Sequence, residues 1–94
     1  MPTVKIPPVL RAQTAGEAEV GVEAATVGEA LRSLAGRHPD TETQLFSADG
    51  ELNRYVNVYL NDEDVRVLDG LDTAVGEDDT VVILPAMAGG EAGA

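Results

Sequence analysis

Val56-Asn57-Val58-Tyr59-Leu60 alternates cleanly, with Val56, Val58 and Leu60 on one side and Asn57 and Tyr59 on the other. A period of two is that of a half-buried strand. Thr3-Val4-Lys5-Ile6 alternates in the same way and is ended by Pro7-Pro8. From Ala18 to Glu23, Ala18, Val20 and Val22 oppose Glu17, Glu19 and Glu23, with Gly21 expected at a bend. These two strands predict an N-terminal antiparallel hairpin, joined through the turn-rich Gln13-Thr14-Ala15-Gly16. Near the other end, Val81-Val82-Ile83-Leu84 is continuously apolar, which suits a central strand.

One segment has helical spacing instead. Val27, Ala30, Leu31 and Leu34 fall on one face of a helix of about three turns. Thr26-Val27-Gly28-Glu29 predicts a capping box, with the Thr26 hydroxyl accepting from Glu29 N–H and the Glu29 carboxylate reaching back to Thr26 N–H. Arg32 and Arg37 suit the negative end of the helix dipole, and Pro39 stops the helix near His38. Residues 40–54 are the least regular, with Leu45 and Phe46 anchoring a short helical turn and Ala48-Asp49-Gly50 a turn signal. After the turn at Asn61-Asp62, Val65-Arg66-Val67-Leu68 reads as a short antiparallel return strand. Asp69 to Asp72 and Gly76 to Asp79 read as turns, with Leu71 and Val75 plugging the core.

The order is therefore strand, strand, helix, strand, short strand, strand. One helix covers one face of a sheet, so the expected class is α+β, with the first and last strands side by side. With 94 residues there is room for one domain, over residues 1–85, and for a flexible tail over residues 86–94.

Charge narrows the function. Seventeen acidic residues against six Lys and Arg give a net charge of −11, which disfavours binding to nucleic acid or to an anionic membrane surface. The absence of cysteine removes disulfides, zinc-thiolate sites and a cysteine nucleophile. Lys5 is followed by Ile6-Pro7-Pro8 and not by an apolar leader core, so the expected location is the cytoplasm. No metal site is expected. Asp62, Glu63 and Asp64 fail the calcium-loop pattern, and they and Glu77, Asp78 and Asp79 read as solvated turns. His38 reads as a helix terminator, and Tyr55 and Tyr59 as cross-strand packing residues.

The candidate chemistry lies at the tail. Pro85-Ala86-Met87-Ala88-Gly89-Gly90 has almost no bulk beyond Met87 and fits a narrow channel on another protein. From Ala86 to Gly90 it reaches at most about 17 Å when extended. The domain then serves as a platform that presents the Gly90 carboxyl group to partner enzymes. The expected docking face is the side of the sheet away from the helix, where apolar residues are flanked by acids, with Met87 as an adaptable contact.

Three segments carry a family resemblance: residues 56–66, Gly70-Leu71-Asp72-Thr73-Ala74, and residues 76–90, ending in Gly-Gly. With the element order, they resemble the ubiquitin-like β-grasp fold: a mixed sheet with one main helix on one face. Within it the chain is most similar to the ThiS/MoaD sulfur carriers, of the CysO type.

The resemblance implies that the protein is not an enzyme but a protein-bound sulfur donor. A ubiquitin-activating-type adenylyltransferase, using ATP, would adenylate Gly90 and then convert it to a thiocarboxylate. A sulfur-accepting synthase, for cysteine or another sulfur-containing metabolite, would take the sulfur. No bound cofactor is implied. Family members usually end at the second glycine, so the resemblance implies removal of Glu91-Ala92-Gly93-Ala94 by a JAMM-type metalloprotease cutting between Gly90 and Glu91. A MoaD-like small subunit of molybdopterin synthase and a ubiquitin-like modifier share the fold and tail and remain alternatives.

Overall fold

The computed structural model describes residues 1–85, and the expected tail, residues 86–94, lies outside them. Five strands form one mixed sheet: β1 (Thr3–Lys5), β2 (Glu19–Gly21), β3 (Val56–Leu60), β4 (Glu63–Asp64) and β5 (Thr80–Pro85). Their order across the sheet is β2-β1-β5-β3-β4. The chain's first and last strands are parallel neighbours, with Val4 opposite Val81 and Lys5 opposite Val82. The hairpin β1–β2 and the pair β3–β5 are antiparallel. The apolar β5 is thus central, as its composition predicts.

Helix α1 (Val27–Arg37) buries Val27, Ala30, Leu31 and Leu34, the four residues that the spacing places on one face. They pack with Val4, Val20, Val56, Val58, Val81 and Ile83 from the sheet in a single core. Aliphatic side chains dominate this core because the chain holds one Phe, two Tyr and no Trp. At Gly28 a Cβ would lie 3.0 Å from the Leu71 carbonyl oxygen, so a glycine lets α1 approach the 70–72 turn. The short helix α2 (Glu42–Leu45) buries Leu45, as expected of that anchor.

Four local expectations change. The return strand is Glu63–Asp64, and Val65–Val67 is a 3-10 turn. The Asp64 carboxylate accepts from Arg66 N–H at 2.9 Å and caps that turn, so Val65 is buried while Val67 is 81% exposed. A strand would have put both on one face. In the capping box, Glu29 N–H donates to Thr26 Oγ1 at 3.1 Å as expected, but the Glu29 carboxylate accepts from Ala25 N–H at 2.8 Å and not from Thr26. The bridge that pairs Thr26 with Ala74 is held by its neighbours, Val27 N–H donating to Thr73 O at 2.9 Å and Val75 N–H to Ala25 O at 3.0 Å. The connection between β1 and β2 is a 3-10 run, Pro8–Thr14, that buries Leu10 and Thr14. Ala18 is exposed and precedes β2, so the buried alternation starts at Val20.

Candidate functional site

The site expected from the sequence is the end of β5 and the chain beyond it. The strand starts from a polar knot. Asn61 takes a left-handed φ of 56° in the β3–β4 turn, a conformation Asn tolerates better than most residues. Its backbone N–H donates to Thr80 O at 2.8 Å, and its side-chain oxygen accepts from Thr80 N–H at 3.1 Å. Its amide nitrogen donates to Asp79 Oδ1 at 3.2 Å. Asp79 Oδ2 accepts from Gly76 N–H at 2.8 Å. The Gly76 N–H, helped by the Asn61 amide, holds the Asp79 carboxyl below its usual value.

The far end is built differently. Leu84 stands opposite Asn57, and Pro85 opposite Val56. Val56 N–H is turned away from β5 and donates to Asn53 O at 3.0 Å, so Val56 and Pro85 face each other without exchanging a hydrogen bond, and the missing N–H of Pro85 costs this ladder no bond. The β3 side is fixed by Arg66, whose guanidinium donates to Asn57 Oδ1 at 3.2 Å and to Asn53 O at 3.0 Å. The sequence reading did not single out this clamp, since no short motif encodes a bond between positions 13 apart. Of the expected site residues, Pro85 closes β5. Ala86, Met87, Ala88, Gly89, Gly90 and the Gly90–Glu91 processing point lie outside the described residues.

The sheet has a face without a helix, as the docking expectation requires. By strand parity it carries Lys5, Glu19, Asn57, Tyr59, Val82 and Leu84. Tyr59 and Val82 are opposite one another and half-buried, and Leu84 is 44% exposed. Tyr59 thus packs across strands as expected. Tyr55 does not: it precedes β3 and is 65% exposed, with the Arg54 guanidinium 5.4 Å from its ring centroid.

Elsewhere the polar side chains are occupied structurally. His38 caps α1, its N–H donating to Leu34 O at 2.8 Å, and its ring lies 3.3 Å from the Glu17 carboxylate. A shallow groove of about 390 Å³ beside α1 is lined by Arg32, Phe46 and Ser47 among others. There the Ser47 hydroxyl donates to Asp49, which lowers the Asp49 carboxyl pKa and leaves that carboxylate a weak base toward the hydroxyl. Among the described residues no three of His, Cys, Asp or Glu are grouped to hold a metal ion. No described helix is long and apolar enough to cross a membrane.

A five-stranded mixed sheet with its last strand central, one main helix on one face and a strand that feeds a Gly-Gly segment defines the ubiquitin-like β-grasp class. A model of the ThiS family matches residues 4–90, and the chain belongs to that family. Sulfur carrier protein CysO of Mycobacterium tuberculosis is 43% identical over 90 residues, covering 94% of this chain and 97% of that one. Small archaeal modifier protein 1 of Haloferax volcanii is 40% identical over 82 residues, covering 84% of this chain and 90% of its own. Among solved structures, the Amycolatopsis orientalis BexX/CysO complex contains a chain that superposes with a TM-score of 0.88 at 44% identity, over 96% of this chain and all of that one. Within its family the chain is CysO-like, and these relatives are carriers and modifiers rather than enzymes.

Proposed function

We propose that this protein carries sulfur as a thiocarboxylate on Gly90 and hands it to a biosynthetic enzyme. The observation that carries this reading is the family match itself, which runs through the last strand and stops at Gly90, leaving residues 91–94 beyond it. A carboxylate does not react with sulfur nucleophiles at neutral pH. Its oxygen first attacks the α-phosphate of ATP on an adenylyltransferase, and pyrophosphate leaves. The sulfur donor then attacks the carbonyl carbon, AMP leaves with the bonding electrons, and a thiocarboxylate remains. The domain contributes placement. β5 carries the chain to Pro85, five residues before Gly90, and the open sheet face with Leu84, Val82 and Tyr59 offers partners an apolar contact.

The net charge of −11 speeds encounter with basic docking sites on those partners. The BexX/CysO complex supports a sulfur-accepting enzyme as one such partner. A JAMM-type metalloprotease would remove residues 91–94 before activation. The test is intact mass after incubation with the activating enzyme, ATP and a sulfur source. A chain ending at Gly90 gains about 16 Da, one oxygen replaced by sulfur, and a chain ending at Ala94 does not. The likeness to a small archaeal modifier favours a second reading, in which Gly90 forms amide bonds with lysines of other proteins. Stable lysine adducts in the same incubation would select it.

A further inference from the structure

An activated glycine terminus is an acyl donor, and the chain that bears it is the nearest surface it meets. That surface is poor in nucleophiles. There is no cysteine, and of the six basic residues five are Arg, leaving Lys5 as the only side-chain amine. Guanidinium groups stay protonated and do not attack carbonyls, so Arg54 and Arg66, the cations nearest the end of β5 in the sheet order, are inert. Lys5 is placed otherwise. It is exposed, it projects onto the open face, and it sits beside Val82, three residues before Pro85. The only ion pair among the described residues, His38 with Glu17, does not involve it.

Distance selects this amine over the other one. Three residues of strand and one strand spacing put Lys5 about 11 Å from Pro85, at about 3.3 Å per residue and 4.8 Å between strands. Residues 86–90 reach at most about 17 Å. The amino terminus lies the other way, two residues before Thr3, which pairs with Thr80 at the start of β5. It is therefore about 23 Å from Pro85, beyond that reach. Tyr59, on the other flank of Val82, offers a phenol, whose ester is itself an acyl donor and does not persist.

We propose that Lys5 is an acyl-acceptor site: an activated Gly90 released before sulfur arrives closes onto Lys5 of the same chain as a lactam. The Lys5 Nζ lone pair forms a bond to the Gly90 carbonyl carbon, the bond to AMP breaks with its electrons leaving on phosphate oxygen, and the amine proton passes to water. This inference rests on Gly90 being the activated residue, so its test bypasses the activating enzyme. The chain is prepared with a thioester at Gly90, where the same attack expels a thiol, and is followed alone at mildly alkaline pH by intact mass and peptide mapping.

The expected product is about 18 Da lighter than the hydrolysed chain, with Gly90 joined to Lys5, formed at a rate independent of protein concentration. Lys5→Arg abolishes that product and slows thioester loss about tenfold or more, to the rate of hydrolysis. Hydrolysis alone in the parent chain, acylation of the amino terminus, or adducts between two chains that grow with concentration would overturn the proposal. A parallel assay of ATP–pyrophosphate exchange reports separately on whether Gly90 is adenylated, so either idea is able to fail alone.

Discussion

Ile83 and Leu84 are adjacent, isomeric, and part of the same strand, yet they lie in different environments. Ile83 is 1% exposed under α1, and Leu84 is 44% exposed on the bare face. The strand's period of two sorts them, and the single main helix covers only one of the two sides. The lesson is that β5 divides two tasks between its faces. Val81 and Ile83 hold the domain together, while Val82 and Leu84 are left for whatever approaches from outside.

The sharpest way to break this comparison is Ile83→Ala. It should cost about 2–5 kcal/mol in chemical unfolding, because a buried branched side chain leaves a cavity. Leu84→Ala should stay within about 0.5 kcal/mol of the parent, as expected of a surface change. Equal losses would erase the division. Gly89→Val moves the test beyond the strand. It should leave unfolding unchanged and slow activation on the order of 100-fold, because a branched side chain obstructs a narrow channel and misplaces the reacting carboxyl. Unimpaired activation would remove the case for a narrow channel.

Leu84→Ser sharpens the role of the bare face. A rise of about tenfold in the KM for the activating enzyme, with kcat preserved, is the expected result, since an apolar anchor at an interface contributes affinity and not chemistry. The smallest effect concerns the start of the strand. Hydrogen bonds from Gly76 and Asn61 depress the Asp79 carboxyl pKa in the folded chain. Its contribution is therefore full above the unfolded value of about 3.9 and is lost as pH falls through the lower folded value. Asp79→Asn should flatten that part of the acid-unfolding profile measured between about pH 5 and pH 2.

Much of this was legible in the chain. Alternation at residues 56–60 fixes β3 to the residue, and the four apolar positions of α1 are all buried, with Gly28 beside them. The parallel contact of β1 with β5 follows from one helix serving as the crossover. What was not legible depends on competition between neighbours. Val65-Arg66-Val67-Leu68 has strand composition, but the Asp64 side chain caps Arg66 N–H and turns the chain before a second ladder is able to form. A continuous run such as Val81 to Leu84 does not announce which of its faces is bare, since periodicity is silent there. Tyr55 looked like a strand residue because Val56 is one, and the turn held by Asn53 decides otherwise. As for the site, the apolar strand leading to Pro85 was readable from the run Val81 to Leu84, whereas the Arg66 clamp on Asn53 and Asn57 needed the folded chain.

The flanking of β5 by a strand on each edge also has a mechanical meaning. A partner that draws the C-terminal segment into a channel pulls along the axis of β5, whose rungs run to β1 on one side and to β3 on the other. Such a load shears all of these rungs together and does not unzip them one after another. Under the proposed function the domain would act as a stopper at the mouth of such a channel, able to take tension while its end is being worked on.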